Sequence, residues 1–425
     1  MVKKGYKQTE VGVIPEDWSV STLEKLYNIT SSKRVFQSQW RKSGVPFYRA
    51  REIAVMSEGK IAPEDLYIDE SLYNQYIHQY GSINKNDILI TGVGTLGKVY
   101  VVKENDRFYF KDGNIIWLQA KHDFSSIYLK YQYDMPALIN QVFGNAGGST
   151  VATYTITNAK TTKVPVPPLP EQQRIAEALS DVDGMISSLE KLIAKYKSIK
   201  IACLQQMFPQ NGETVPRMRL PGFTGAWEQR KLMSLCEKFT DGDWIEAKDQ
   251  SDFGVRLIQT GNVGLGEYID KPTNKKWIAE ETFERLNCEE VFAGDILISR
   301  LPEPAGRACI MPNLGVKMIT AVDCTIVRTA THINPKCLLQ YLSSQSYFDK
   351  VNTCLAGGTR QRISRSNLAA FDVPVPAKYE EQKAIGEFLC GIDHLITLHQ
   401  RKLEKVQKIK QGMMQQLLTG KIRLV

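Results

Sequence analysis

No cysteine precedes Cys203 in this chain of 425 residues, and all eight cysteines lie at or after that position. No two of them are spaced as Cys-x-x-Cys. The two halves of the chain are alike, as shown below, so a disulfide framework would have had to serve both. The thiols are therefore expected to be reduced core residues of a cytoplasmic protein.

The sequence also lacks the motifs of common catalytic and membrane proteins. It has five histidines, no HExxH pair and no Gly-x-Ser-x-Gly elbow, which argues against a zinc site or a serine hydrolase. The Asn/Asp-Pro-Pro-aromatic run of amino-methyltransferases does not occur. No apolar run reaches about 18 residues, and no signal peptide is expected. Scattered carboxylates leave a nuclease site open as an alternative.

The overall charge is moderately basic. The formal net charge is +8 and the pI is near 8.9, while charged residues make up 24% of the chain and hydrophobic residues 43%. These values are ordinary for a globular protein of several domains. They favour a polyanionic partner without proving one, and a solvated basic surface is an equal alternative.

The second half of the chain repeats the first at an offset of about 209 residues. The matched pairs are Pro15-Glu16-Asp17-Trp18 with Gly225-Ala226-Trp227, Asp87-Ile88-Leu89-Ile90 with Asp295-Ile296-Leu297-Ile298, Val164-Pro165-Val166-Pro167 with Val373-Pro374-Val375-Pro376, and Glu171-Gln172 with Glu381-Gln382. The period is too long for a solenoid. It indicates two similar binding domains, with a duplication that has no functional symmetry as the alternative.

Each copy ends in a stretch with apolar residues spaced three and four apart, which predicts coiled-coil helices that pair with each other in opposite directions. The predicted seam residues are Ile175, Leu179, Val182, Ile186, Leu189 and Ile193 in the first copy, and Ile385, Leu389, Ile392, Ile396, Leu403 and Val406 in the second. Both seams are interrupted by a lysine, Lys200 and Lys410. The first helix is predicted from Glu171 to Phe208, about 57 Å long. The alternative is that each helix packs only on its own globular domain.

The predicted fold class is α+β: two mixed α/β domains separated by a pair of long antiparallel coiled-coil helices, with a pseudo-twofold internal repeat. The predicted boundaries are 1–169 and 209–378 for the globular domains, and 170–208 and 379–425 for the helical segments. Inside the globular domains, "DILIT" and "VYVVKEN" in the first copy and "DILIS" and "ACIMPN" in the second predict strands around a turn. Residues 126–142 and 335–351 are predicted to be helical.

The segment Gly92–Lys98 has the spacing of a nucleotide-binding P-loop. Val99 follows where a Ser or Thr hydroxyl should meet magnesium, and the next residues predict a strand instead of a helix. A glycine-rich hairpin is therefore the preferred interpretation. A basic residue persists at the equivalent place of the second copy, as Arg307 for Lys98, which suits a phosphate contact or a solvated turn.

Two loops occur in both copies with polar and basic side chains. In the loops 46–54 and 256–264, the residues able to make bidentate bonds to base edges are Arg49, Arg51, Arg256, Gln259 and Asn262. In the segments 144–154 and 355–365, glycines permit close approach, and the candidate phosphate contacts are Ser149, Thr150, Thr359, Arg360 and Arg362. Together with Lys98 and Arg307 these residues are the predicted DNA contacts.

The opening "GYKQTEVGVIPEDW", the junctions "VPVPPLPEQQRIAEAL" and "VPVPAKYEEQKAIGEF", and the helix ends "LQQMF" and "MQQLL" resemble the specificity subunit of type I restriction–modification systems. The resemblance covers nearly the whole chain. The second junction departs slightly, because "PAKYEEQ" replaces the usual Pro-Pro-x-x-Glu-Gln.

This resemblance implies a non-catalytic subunit whose two target-recognition domains each read one half of a split DNA sequence. The paired helices would act as a ruler and as the docking site for two modification subunits. No cofactor is expected on this chain, since S-adenosylmethionine, ATP and Mg²⁺ would bind to the modification and restriction subunits. The alternatives are a self-contained DNA methyltransferase or nuclease, and an adaptor whose domains bind protein.

Overall fold

The computed structural model describes residues 3–121, 124–144, 152–210, 212–357 and 361–425. The chain divides into two compact units. The first consists of Met1–Ser188 and Leu403–Val425, and the second of Leu189–Lys402. Each unit therefore contains a globular part together with one portion of each long helical segment. Within the described ranges, no helix has the length and apolar character needed to cross a membrane.

The first unit is built on a four-stranded antiparallel sheet and a three-stranded sheet. Its strands are β1 (Tyr6–Thr9), β2 (Gly12–Pro15), β3 (Ser19–Thr22), β4 (Tyr27–Thr30), β5 (Val45–Tyr48), β6 (Tyr67–Ile68), β7 (Ile88–Thr91), β8 (Val99–Val101), β9 (Tyr109–Phe110), β10 (Ile115–Ala120) and β11 (Lys163–Val166). Its helices are α1 (Leu23–Leu26), α2 (Ala50–Ser57), α3 (Glu70–Tyr80), α4 (Ser126–Gln132), α5 (Pro136–Gly144), α6 (Ile156–Thr161) and the first part of α7 (Leu169–Met207). The sheet orders are β4-β10-β7-β8 and β6-β5-β9.

The second unit repeats this plan. Its strands are β12 (Glu228–Lys231), β13 (Cys236–Asp241), β14 (Gln250–Ser251), β15 (Val255–Ile258), β16 (Lys276–Ile278), β17 (Glu290–Val291), β18 (Ile296–Ser299), β19 (Ala308–Ile310), β20 (Met318–Thr320), β21 (Cys324–Thr329) and β22 (Asp372–Val375). Its helices are α8 (Glu280–Leu286), α9 (Pro335–Tyr341), α10 (Gln345–Thr353), α11 (Arg365–Ala370) and the first part of α12 (Tyr379–Leu417). The sheet orders are β13-β21-β18-β19 and β14-β16-β15-β20-β17.

The two units share the strand order of one sheet, and the three-stranded sheet of the first matches the middle of the five-stranded sheet of the second. The order β4-β10-β7-β8 corresponds to β13-β21-β18-β19, and β6-β5-β9 corresponds to β16-β15-β20. In both units one of these sheets contains a parallel pair, β5 with β9 in the first and β15 with β20 in the second. The predicted strands around the turn are confirmed, because β7 pairs with β8 and β18 with β19 in antiparallel register.

The stretches predicted as helical between the sheets are each split into two helices. Residues 126–142 form α4 and α5, and residues 335–351 form α9 and most of α10. In the second unit the new helix begins at a cap, where the Ser344 Oγ accepts a hydrogen bond from the Tyr347 N–H at 3.3 Å. In the first unit Pro136 opens α5, a position where its missing N–H costs nothing.

The long helices α7 and α12 each contain 39 residues. α7 begins at Leu169, two residues earlier than predicted, because Pro170 is tolerated in the first turn and does not have to precede it. None of the predicted seam residues is exposed. Ile175 and Leu179 also join the core of the first unit with Trp18 and Tyr128.

Within each unit the two helices run antiparallel. In the first unit, Glu171 pairs with Arg423 just beyond the end of α12, and Asp183 pairs with Lys410, both at 2.7 Å. In the second, the ring of Tyr196 stacks on His399 with centroids 5.6 Å apart, while Lys200 pairs with Asp393. In these contacts, higher residue numbers on α7 are paired with lower residue numbers on α12 or just beyond its end. The antiparallel pair predicted from the heptads is therefore confirmed, and the alternative of separate helices is wrong.

Candidate nucleic-acid interface

The first candidate loop joins β5 to α2 and carries two arginines fixed by one buried carboxylate. Glu52 is only 2% exposed. Its Oε1 accepts hydrogen bonds from Arg49 Nη2 at 3.0 Å and Arg51 Nε at 2.8 Å, and its Oε2 accepts from the Arg49 backbone N–H at 2.8 Å. The arginine side chains remain 35% and 59% exposed. Glu52 thus orients two guanidinium groups that solvent can reach.

The charge state of Glu52 follows from these contacts. Burial alone would raise its pKa, but the hydrogen bonds from Arg49 and Arg51 outweigh burial and hold the pKa below its ordinary value. The carboxylate is therefore charged at neutral pH. A second carboxylate, Asp65, pairs with the far side of Arg51, so Arg49 carries fewer ion pairs than Arg51.

Lys98 lies in the turn between β7 and β8. Gly94 and Gly97 adopt positive φ angles of 73° and 72° there, which glycine accommodates without strain. The Lys98 N–H donates to Thr91 Oγ1 at 3.0 Å, and its side chain is partly exposed. A strand follows the turn, so the segment is the predicted hairpin, and the helix N-terminus that a P-loop needs is missing from this position.

The equivalent loop of the second unit uses its polar side chains internally. Arg256 is 3% exposed; its Nη1 donates to the carbonyls of Leu257 and Lys276, both at 2.8 Å. Asn262 is also buried, accepting from the Gln259 N–H at 3.0 Å and donating to the Ile269 carbonyl at 2.9 Å. The assignment of Arg256 and Asn262 as base readers is therefore corrected: they shape the loop, and Gln259 is the partly exposed side chain.

Arg307 needs the same correction. Its guanidinium donates to four backbone carbonyls, those of Val263, Leu301, Pro304 and Thr260, at 2.6–3.0 Å. Burial lowers the pKa of Arg307 from its ordinary value. A guanidinium enclosed in this way ties the loop after β15 to the loop after β18, and it is too buried to serve as a surface phosphate contact.

The two loops nevertheless share one hydrogen bond from the backbone to a side chain. In each loop, a backbone N–H donates a hydrogen bond to the side chain of the third residue after it. Arg49 donates to Glu52, and Gln259 donates to Asn262. The two pairs lie 210 residues apart. The backbone frame is thus conserved between the copies while the exposed chemistry differs, being cationic in one unit and an amide in the other.

The second pair of loops is only partly within the described residues. Ser149, Thr150, Thr359 and Arg360 lie outside them. Arg362 is within them; its side chain is 59% exposed and its Nη1 lies 3.8 Å from Asp323. Its prediction as a phosphate contact stays a prediction.

Sequence reasoning missed two arginines beside this loop. Arg300 follows β18; its carbonyl accepts from the Ile363 N–H at 3.1 Å, and its Nη2 lies 3.4 Å from Asp241. Arg365 lies 3.8 Å from the same carboxylate. Both line an open cleft of about 940 Å³. The first copy has Gly92 in place of Arg300, and a basic residue directly after a repeated strand was the available signal.

The repeated Glu-Gln motif anchors each globular part to its helix. In the first unit Glu171 accepts from Trp18 Nε1 at 3.0 Å and from Arg423, while Glu381 in the second accepts from Arg219 Nε at 2.7 Å. Both carboxylates are 2% exposed. The following glutamines accept the backbone N–H of Ser125 at 2.9 Å and of Asn334 at 2.8 Å. The motif is therefore a buried joint and takes no part in the exposed surface.

Comparison with known sequences assigns the chain to one group of proteins. Residues 15–198 and 225–408 each match the family described as type I restriction modification DNA specificity domain. A putative type I restriction enzyme specificity subunit of Methanocaldococcus jannaschii, MjaX, is 25% identical over 99% of this chain and 97% of its own. The MjaVIII specificity subunit of the same organism is 23% identical over the same shares. A putative specificity subunit of Haemophilus influenzae is 32% identical over 37% of this chain and 38% of its own.

Solved structures agree at the level of the fold. The S subunit of a type I restriction–modification system from M. genitalium superimposes with a TM-score of 0.60 at 13% identity, over 94% of this chain and 96% of that one. A chain from a study of complex assembly and conformational transition of a type I system gives a TM-score of 0.53 at 17% identity, over 96% and 99%.

Proposed function

This chain belongs to the family of type I restriction–modification DNA specificity proteins, and we propose how its parts divide that work. It is the DNA specificity subunit of such a complex, and each of its two units reads one half of a bipartite target. The observation that carries this is the double match to the specificity domain, once in each half of the chain. The two equivalent loops with different exposed chemistry support it.

The first unit reads its half-site through Arg49 and Arg51. A guanidinium held in a fixed plane suits the O6 and N7 atoms of guanine in the major groove. In the second unit Gln259 holds the place of Arg49, and an amide suits the N6 and N7 atoms of adenine. Lys98, Arg362 and Arg365 supply phosphate contacts, together with the predicted Ser149, Thr150, Thr359 and Arg360.

The chain performs no catalysis of its own and binds no cofactor. Methyl transfer from S-adenosylmethionine and the ATP- and Mg²⁺-dependent steps take place on modification and restriction subunits. The match of both halves of the chain to the DNA specificity domain supports this division.

Two modification subunits dock on the helix pair, one in each unit. In the first unit Met185 and Ile409 are 48% and 47% exposed, and both adjoin the Asp183–Lys410 pair in sequence. In the second, Leu395 and Ile199 are 38% and 37% exposed and adjoin the Asp393–Lys200 pair. The members of these apolar pairs correspond at an offset of 210 residues. Two equivalent apolar positions fit two copies of one partner.

The test is methylation mapping with the reconstituted complex. The chain, its modification subunits and S-adenosylmethionine are expected to methylate adenines in one split sequence with two defined halves. Binding of the chain to DNA should weaken steeply with salt, as phosphate contacts require. Methylation at a single undivided site, or binding independent of salt, would contradict the proposal.

The main alternative is a self-contained methyltransferase or nuclease. Incubation of the purified chain alone with DNA and labelled S-adenosylmethionine, or with DNA and Mg²⁺, separates the two. No methyl transfer and no cleavage are expected. Turnover abolished by a point mutation within this chain would establish the alternative.

A further inference from the structure

Two clusters of three residues connect a globular helix to both long helices, one cluster in each unit. In the first unit, Asp183 on α7 pairs through Oδ1 with Lys410 Nζ on α12 at 2.7 Å, and its Oδ2 accepts from the Tyr131 hydroxyl on α4 at 2.8 Å. The Lys410 ammonium also lies 5.3 Å from the centre of the Tyr131 ring. We call these three residues the first register cluster.

The second register cluster consists of Asp393, Lys200 and Gln340. Asp393 on α12 pairs through Oδ1 with Lys200 on α7, and its Oδ2 accepts from Gln340 Nε2 on α9 at 3.0 Å. Each member corresponds to a member of the first cluster, at offsets of 209 or 210 residues. The long helices exchange roles between the clusters: α7 supplies the aspartate in the first unit and the lysine in the second.

The third member shows that the clusters are more than ion pairs between neighbouring helices. Tyr131 and Gln340 differ in chemistry, and both are 1% exposed. Each nevertheless donates one hydrogen bond to the same oxygen of the equivalent aspartate. Two different residue types make the same hydrogen bond in the two copies. This indicates that both copies require a link between the globular helix and the long helix.

The lysines lie where the heptads call for an apolar residue. Lys200 and Lys410 interrupt the seams, and their side chains are 15% and 22% exposed. A polar group at a seam position costs stability and specifies register, because only the correct alignment gives it a partner. A slip of one helix by one heptad would place Lys200 opposite Gly386 or Gln400 in place of Asp393.

The size of such a slip matters for DNA. One heptad is about 10 Å of helix at about 1.5 Å per residue, or about three base pairs at about 3.4 Å each. Leucine and isoleucine seams alone would tolerate this shift, since apolar side chains pack against one another in either alignment. The clusters are the elements that distinguish one alignment from the next.

We propose that the two register clusters, Tyr131–Asp183–Lys410 and Gln340–Asp393–Lys200, determine the number of base pairs between the two half-sites. This inference rests on the proposed function. It goes beyond a ruler of fixed length, because it assigns spacer choice to two sets of named side chains that hold helix register and the seating of each globular part. These are positioning residues, and none of them is expected to contact DNA.

The experiment uses the reconstituted complex and a DNA library in which the two half-sites are separated by different spacers. The Lys200→Asp variant places two carboxylates together and is expected to broaden the accepted spacers, with the preference for the wild-type spacer falling about fivefold or more. The half-site sequences should stay unchanged. Adding Asp393→Lys restores the pair, and Gln340 Oε1, buried without a hydrogen-bond partner, can accept from the new ammonium group. This double variant should recover the wild-type spacer preference.

The matched control is Lys195→Asp, which makes the same charge change at an exposed position of α7 and should leave spacer preference unchanged. Tyr131→Phe keeps the ring and loses only the hydroxyl, so it carries the comparison if Lys200→Asp fails to fold; we expect spacer tolerance to broaden there too. A wild-type spacer profile in both Tyr131→Phe and any folded Lys200→Asp protein overturns the inference. Failure of the wild-type complex to show a split target would instead overturn the proposed function.

Discussion

At the scale of single residues, the same side-chain type has opposite roles in the two units. Arg49 and Arg51 stay accessible because one buried carboxylate, Glu52, satisfies part of each guanidinium. Arg307 is enclosed because four carbonyls accept hydrogen bonds from its guanidinium. The number of internal hydrogen-bond acceptors around an arginine therefore decides whether its guanidinium stays in the protein interior or is available to bind a ligand.

Replacement of Glu52 by glutamine tests the first role. The amide keeps the shape but removes the charge that fixes both arginines, so discrimination at the first half-site should fall about tenfold, corresponding to about 1–2 kcal/mol. The second half-site should be unaffected. Methylation of DNA with single substitutions in either half measures this. Glu58→Gln, at an exposed residue at the end of α2, is the control, and equal losses in both halves would contradict the assignment.

The same carboxylate gives a pH prediction. Because the pKa of Glu52 is lowered on folding, its stabilising contribution is present above its unfolded pKa and is lost as the pH falls through the lower folded value. First half-site discrimination should therefore be constant between about pH 7 and pH 5, since the unfolded carboxyl titrates near about 4.3. A loss centred near pH 6 would assign the orienting role to another group.

Arg307 and Lys98 occupy corresponding positions and should respond in opposite ways. Arg307→Met leaves buried carbonyls without donors and should lower the free energy of unfolding by about 3–5 kcal/mol. Lys98→Met should leave the melting temperature unchanged and reduce the salt dependence of DNA binding by about one phosphate contact. Thermal unfolding and gel shifts across a salt series measure both. A stable Arg307→Met protein with a reduced salt slope would reverse the assignment.

At the scale of elements, the sequence predicts the helices that occur in both copies. It does not predict which polar side chains are hydrogen-bonded inside the protein. The heptads identify α7 and α12 because an apolar seam requires a helical partner. The start of α7 differs by two residues, since Pro170 fits equally before a helix and in its first turn. The burial of Arg256 could not be predicted, because its acceptors are backbone carbonyls, and carbonyls carry no residue identity.

Insertion of four residues into each long helix tests the ruler. Placing one insertion between Asp183 and Lys200 and the other between Asp393 and Lys410 leaves both register clusters paired. The segment between the clusters grows by about 6 Å, so the preferred spacer should lengthen by about one or two base pairs. Methylation mapping on the spacer library measures it, and the half-sites themselves should be unchanged. An insertion in α7 alone breaks the alignment and serves as the control; an unchanged spacer in the double insertion would contradict the ruler.

At the scale of the whole molecule, the chain consists of two similar units, each of which includes a part of both long helices. The joints are equivalent: a buried glutamate holds an arginine from the segment that follows the opposite long helix, Arg423 on Glu171 and Arg219 on Glu381. Because each joint lies wholly within one unit, the globular part of a unit can be exchanged without touching the other unit's joint or register cluster.

Exchange of residues 217–372 for the corresponding segment of a relative with a different target tests this modularity. The hybrid keeps Glu381, Asp393 and Lys200 of this chain and must bring an arginine equivalent to Arg219 and a donor equivalent to Gln340. One half-site should change to that of the donor protein, while the other half-site and the spacer stay as they were, because the first unit and the long helices are untouched. Methylation mapping of the hybrid and of the parent complex measures the two half-site sequences and the spacer length in one experiment. A hybrid that alters both half-sites would show that reading is shared between the units, and one that alters the spacer would place part of the ruler in the globular segment.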